Sequence, residues 1–238
     1  VVFEGHTVFL SYTNPANPGD PTVVELVQGD HPHGLLTTKP VLSLGATGLN
    51  TETGQTGVVP QNDPDSLKIA PNGDLLLSSG SDGAIIDVSN PGTAHQKVSF
   101  TPIAGVTPGN AGLDDVIKPD ATSGTFTLTD TATNKVLSFH ATGLNPNDYY
   151  ASVGSLHAFG QVDPSTGAFT PLLSANNAPG FNFSSPHGIS FTADPSPVAA
   201  DARGPGSGGQ NFDFSDKAGP MLVSSAANDT FIFGSHFG

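Results

Sequence analysis

The sequence predicts an all-β fold: a β-propeller of four-stranded antiparallel blades, about four of them in 238 residues. Three observations predict it. Helical periodicity is nearly absent, with no stretch of a dozen residues that is apolar at i, i+3, i+4 and i+7 and free of Gly and Pro. Short runs rich in Val, Ile, Leu, Phe and Thr recur instead, punctuated by 29 Gly and 21 Pro. A similar lead-in opens three of these runs: Pro64-Asp65-Ser66-Leu67, Leu113-Asp114-Asp115-Val116 and Pro186-His187-Gly188-Ile189. Repeats of roughly 40–60 residues with four short strands each mark a propeller. A sandwich would show the strands without the repeated lead-in.

In chain order, Val1–Gly5 and Thr7–Thr13 read as strand, turn, strand. Their own lead-in would fall before Val1, which predicts a processed or truncated chain. Residues 67–73 lead into a strand at 74–79, a turn, a strand at 84–88 and an outer strand at 98–103. Asn72-Gly73 and Asp82-Gly83 are hairpin signals, because these residue types accept the positive φ of tight primed turns. Residues 116–124 lead into strands at 125–130 and 135–139. The stretch 145–160 reads as an insertion extending an outer hairpin, and 168–173 as an outer strand. The last unit begins at Pro186, carries a mobile surface loop over 195–219 and ends in strands at 221–225 and 230–233. The units are 1–60, 61–108, 109–180 and 181–238, forming one domain. That domain is a fragment of a larger ring, closes as four blades, or is completed by a second chain or fragment, since an open arc would expose strand edges.

Composition narrows the function. Seven Lys+Arg against 21 Asp+Glu give a net charge of −14, which opposes nucleic-acid phosphates and anionic membranes. Apolar runs of only a few residues exclude a membrane-spanning helix. The absence of Cys excludes disulfides, zinc–thiolate sites and a cysteine nucleophile. An acidic, Cys-free chain rich in Thr, Ser, Asn and Gly is similar to exported bacterial proteins and predicts a periplasmic or secreted setting. With no Trp and three Tyr, a sugar platform is poorly supplied. Most Phe residues belong in the core, and Tyr149 and Tyr150 of the inserted hairpin are the best exposed aromatics. His31-Pro32-His33 could share a transition metal along a strand, but the preceding Gly-Asp favours a hairpin tip with solvated rings. The Gly204–Gly209 run lacks the strand-to-helix context of a phosphate loop.

In a propeller the innermost strands line the channel and their lead-in loops meet at one face. Asp65, Asp114 and His187 would therefore converge, with Ser66, Asp115 and Gly188 beside them. Three such donors on one axis suit a hard cation, Ca²⁺ or hydrated Mg²⁺. The same residues equally suit hydrogen bonding to loop backbone, with no catalytic part.

The strings DSLKIAPNGDLLLSSGSDGAIIDV from Asp65 and LDDVIKPDATSGTFTLTDTATNKVLSF from Leu113 resemble blades of bacterial NHL and SMP-30/gluconolactonase-like propellers. SPHGISF from Ser185 resembles the start of another, and the tail 228–234 is similar to strands beside calcium-binding nonapeptides of secreted proteins. The resemblance implies a binding or scaffold module, in families that usually have six or seven blades. For the lactonases it also implies a divalent ion held by Glu, Asn and Asp, with an Asp as base. Carried here, Asp65 and Asp114 would be ligand or base in a sugar-lactone hydrolase, with Asp115 and His187 in support. The family's Glu and Asn ligands have no residue-by-residue counterpart in this chain.

Overall fold

The computed structural model describes residues 1–13, 15–28, 36–174, 185–194, 211–213 and 230–232. They build four small, mainly antiparallel sheets set in a ring as a four-bladed β-propeller. Strands β1 (Val2–Glu4), β2 (Thr7–Ser11), β3 (Pro21–Gln28) and β4 (Leu36–Ser43) form the first sheet in sequence order. The hairpin of β5 (Thr47–Asn50) and β6 (Thr56–Val58) comes next. The second sheet runs outward through β7 (Pro64–Ile69), β8 (Leu75–Ser79), β9 (Ala84–Ser89) and β10 (Lys97–Pro102). β5 then adds to its rim, parallel to β10. Residues 47–58, expected in the first unit, thus widen the second sheet.

The third sheet starts with β11 (Leu113–Ile117). The chain then departs as a long hairpin of β12 (Ser123–Asp130) and β13 (Lys135–Thr142). It returns as β14 (Tyr149–Val153), β15 (Ala158–Val162) and β16 (Phe169–Ser174), in the order β11-β14-β15-β16. The departing hairpin pairs with β17 (Pro186–Ala193), giving the fourth sheet β13-β12-β17. This reverses the sequence expectation: 123–142 is the excursion, and 149–162 supplies regular blade strands. Burial explains the reversal. All five β14 residues are buried, as a strand covered on both faces requires, whereas β12 alternates buried and half-buried residues and has one covered face. Finally, β18 (Asn211–Asp213) and β19 (Thr230–Ile232) pair in parallel. A strand thus lies within the expected 195–219 loop, while the expected strand at 221–225 lies outside the described residues.

Period-two alternation divides the core between neighbouring sheets. Leu75 and Leu77 face the first sheet and pack with Phe9, Val23, Leu42 and Ile86. Leu76, between them, faces the third sheet and packs with Ile85, Leu113, Val116 and Tyr149. The third interface is aromatic: Phe126, Phe139, Tyr150 and Phe159 gather with ring centroids 5.0–6.4 Å apart. Tyr149 and Tyr150 are therefore core residues and not exposed platforms. They are adjacent in a doubly covered strand and so enter two different cores. The turns also differ from expectation in detail. Gly73 and Gly83 have φ of +86° and +67°, but Asn72 and Asp82 do not join them in the left-handed region. The loops close as longer turns, with Gly73 N–H bonded to Ala70 O and Gly83 N–H to Ser79 O. Apart from a 3-10 turn at Gly154–Leu156, the described residues are strand, turn and loop. No helix among them is long and apolar enough to cross a membrane.

Candidate functional site at the channel mouth

The repeated lead-in is a repeated β-bulge. On β7, Pro64 pairs with Ser79 and Leu67 with Leu77, so Asp65 and Ser66 together oppose Ser78. On β11, Leu113 pairs with Val153 and Asp115 with Ser152, leaving Asp114 as the extra residue. On β17, His187 pairs with Thr129 and Ile189 with Leu128, leaving Gly188 extra. One extra residue on each of three inner strands bends the strand and re-aims the side chains beside it. Ser78 steadies the first bulge through the Ser66 N–H at 2.9 Å, and its hydroxyl reaches the Asp114 carbonyl at 3.1 Å.

These bulges bring three of the four predicted residues together. Asp65 and Asp114 share a hydrogen bond. Asp114 Oδ2 is closed to solvent and is met by His187 Nδ1. His187 Nε2 lies 3.2 Å from Ser185 Oγ, which in turn accepts a hydrogen bond from Thr131 Oγ1 at 3.1 Å. Burial, then the charge of Asp65, pushes the Asp114 carboxyl up to about 7. Asp65 is also raised, mainly by burial; the bond from Asp114 partly offsets this, and the charge of Asp63 adds to it. The pair thus favours sharing one proton, and the negative charge it retains lies beside the imidazole.

Asp115 stands apart from this chain of contacts. It is 3% exposed, and its Oδ2 accepts the Ile189 N–H at 2.6 Å and lies 3.0 Å from Lys68 Nζ. Lys68 also donates to the Ile189 carbonyl at 2.9 Å. With the Val116 N–H on Oδ1, Asp115 takes three donors and links β7, β11 and β17. It is placed to hold the blades together.

A cleft of about 530 Å³ opens between the second and third sheets, lined among others by Asp63, Asp65, Gly80, Ser81, Asn110 and His157. Asp63 and His157 both have positive φ, +63° and +48°, a conformation costly for residues other than Gly. A Cβ on Gly80 would come within 3.1 Å of both Asp63 Oδ2 and Asp65 Oδ2, so this glycine leaves the space the two carboxylates share. Backbone bonds from Gly80 N–H to Asp63 O and from Gly154 N–H to Gly112 O fix the walls.

Asp65, Asp114 and His187, the expected holders of an axial cation, adjoin one another at the mouth. Asp114 Oδ2 is engaged by His187, and among the described residues no three His, Asp or Glu side chains gather into a set that could hold a metal ion. The trio forms a chain of polar contacts. His31 and His33 lie outside the described residues. Sequence reasoning missed Ser185, Thr131, Lys68 and Gly80. Ser185 was findable, because it stands two residues before His187 on an extended segment and therefore on the same side.

No protein-family model matches the chain, and no curated protein matches it. Fold and geometry carry the functional reading.

Proposed function

We propose that the chain is an extracytoplasmic β-propeller binding module whose ligand places a positive charge in the cleft between Asp63 and Asp65. The observation that carries this reading is the cleft itself: two carboxylates face it, two strained backbone residues shape it and no Lys or Arg among the described residues lines it. A hydrated divalent cation and an organic ammonium group offer the same chemistry. A cation here would take its remaining ligands from water and loop carbonyls, which suits Mg²⁺ or weakly held Ca²⁺. The acidic, Cys-free composition supports the extracytoplasmic setting.

Titration calorimetry tests the proposal, with CaCl₂ and MgCl₂ in one arm and 1,4-diaminobutane in the other. Saturable binding in either arm that disappears in the Asp63→Asn/Asp65→Asn double variant supports it and identifies the source of the charge. Heats indistinguishable from dilution in both arms, or binding unchanged in the variant, overturn it.

A second reading is hydrolysis of the sugar-lactone kind, consistent with the resemblance to SMP-30-like propellers. The observation in its favour is the Asp114 carboxyl near 7, poised to exchange a proton at neutral pH.

A further inference from the structure

We propose that Ser185, His187 and Asp114 are the nucleophile, general base and orienting carboxylate of an esterase-type acyl-transfer site, which adjoins the acidic cleft through Asp65. The connectivity is the one such chemistry requires: hydroxyl to one imidazole nitrogen, carboxylate to the other. Ser185 Oγ lies 3.2 Å from His187 Nε2, and His187 Nδ1 meets Asp114 Oδ2. Thr131 Oγ1 donates to Ser185 Oγ at 3.1 Å, which leaves the serine's own proton free to point at Nε2.

The site rests on fixed backbone. Ser185 N–H bonds Asp130 Oδ1 at 3.2 Å, and the Ser185 carbonyl accepts the Thr131 N–H at 3.0 Å. Pro186 limits φ between the two reacting residues, and the bulge at Gly188 sets the orientation of His187. The His187 side chain is 41% exposed and Ser185 is half-buried, so both reacting groups are open to solvent. Asp114, at 16% exposure, is the sheltered member, as an orienting carboxylate should be.

The chemistry balances without a cofactor. Ser185 Oγ attacks the carbonyl carbon while its proton passes to His187 Nε2. The bond to the alcohol oxygen breaks and His187 returns the proton to that oxygen, leaving acyl-Ser185. Water then attacks the acyl carbon, delivers a proton through His187 to Ser185 Oγ, and the free acid departs. The substrates would be small esters or activated acyl compounds.

A fluorophosphonate probe, which phosphonylates activated serines with loss of fluoride, gives a direct test. One adduct on the peptide containing Ser185 is expected, absent from Ser185→Ala and His187→Gln, with 4-nitrophenyl acetate hydrolysis falling at least about a hundredfold in both. Circular dichroism of each variant establishes that the fold persists. No adduct at Ser185 in the wild type, or labelling and hydrolysis undiminished in folded His187→Gln, overturns the proposal.

Discussion

Asp115, on the third inner strand of the chain, accepts the amide hydrogen of Ile189 on the fourth at 2.6 Å, while Lys68 of the second lies 3.0 Å from the same oxygen. One buried carboxylate thus joins three blades. Truncating it in Asp115→Ala leaves an uncompensated ammonium and an unpaired amide. Removal of one partner of such a pair costs about 3–5 kcal/mol, which urea unfolding of the variant should show. Asp115→Asn, which keeps an acceptor oxygen, should lose less.

A second polar link crosses between the second and third sheets. Asp87 Oδ2 lies 2.9 Å from Lys118 Nζ and 3.1 Å from the Tyr149 hydroxyl, and Lys118 sits 4.6 Å from the Tyr149 ring centroid. Burial, with the nearby charge of Asp87, drives the Tyr149 phenol well above its ordinary value. Asp87→Ala should destabilise the fold by roughly 2–4 kcal/mol in the same assay, because it strands a mostly buried ammonium. Tyr149→Phe, which removes one neutral donor, should cost about 1 kcal/mol.

The excursion of β12 into the fourth sheet depends on Gly124. A Cβ there would stand 2.4 Å from Thr192 O and 2.5 Å from the Phe191 ring, which lies across the glycine. Gly124→Ala should therefore cost about 1–3 kcal/mol and speed amide exchange along β17. The pairing has a covalent test too. Thr127 opposes Ser190, and the chain has no Cys of its own, so Thr127→Cys/Ser190→Cys should form an intrachain disulfide on mild oxidation.

Stability should fall as pH rises toward neutrality, through Asp114. Its carboxyl titrates near 3.8 when unperturbed and about 7 in the fold. Between those values the folded chain binds a proton the unfolded chain releases. This contribution is complete below about pH 4 and is lost as pH rises through about 7. Asp114→Asn should flatten the stability profile over pH 4–7 by roughly 1–4 kcal/mol relative to wild type. Equilibrium urea unfolding at intervals of half a pH unit would measure it.

Much of this fold was legible in the sequence because blade strands are short and their lead-ins repeat. Asp65, Asp114 and His187 were found as equivalent positions before any geometry, and the structure gives each a bulge. Asp114 and Asp115 are neighbours of the same type, so sequence could not tell them apart. The bulge sends one to the mouth and the other to the contacts that join three blades. The destination of β12 was also hidden, because Phe126 and Leu128 fit either sheet and pairing is decided far along the chain by Phe191 and Ile189. Tyr149 and Tyr150 misled because burial on both faces of β14 follows from its place in the blade, which adjacent residue types do not reveal.

The arrangement at the mouth rests on His187 linking Ser185 to Asp114, and nitrogen NMR of ¹⁵N-histidine-labelled protein reads that link directly. The neutral His187 ring is predicted to carry its proton on Nδ1, facing Asp114, with a bare Nε2 accepting from Ser185. Asp114→Asn should shift the Nδ1 signal, and Ser185→Ala the Nε2 signal. A ring protonated at Nε2 instead, with Nδ1 unmoved by Asp114→Asn, would contradict the account.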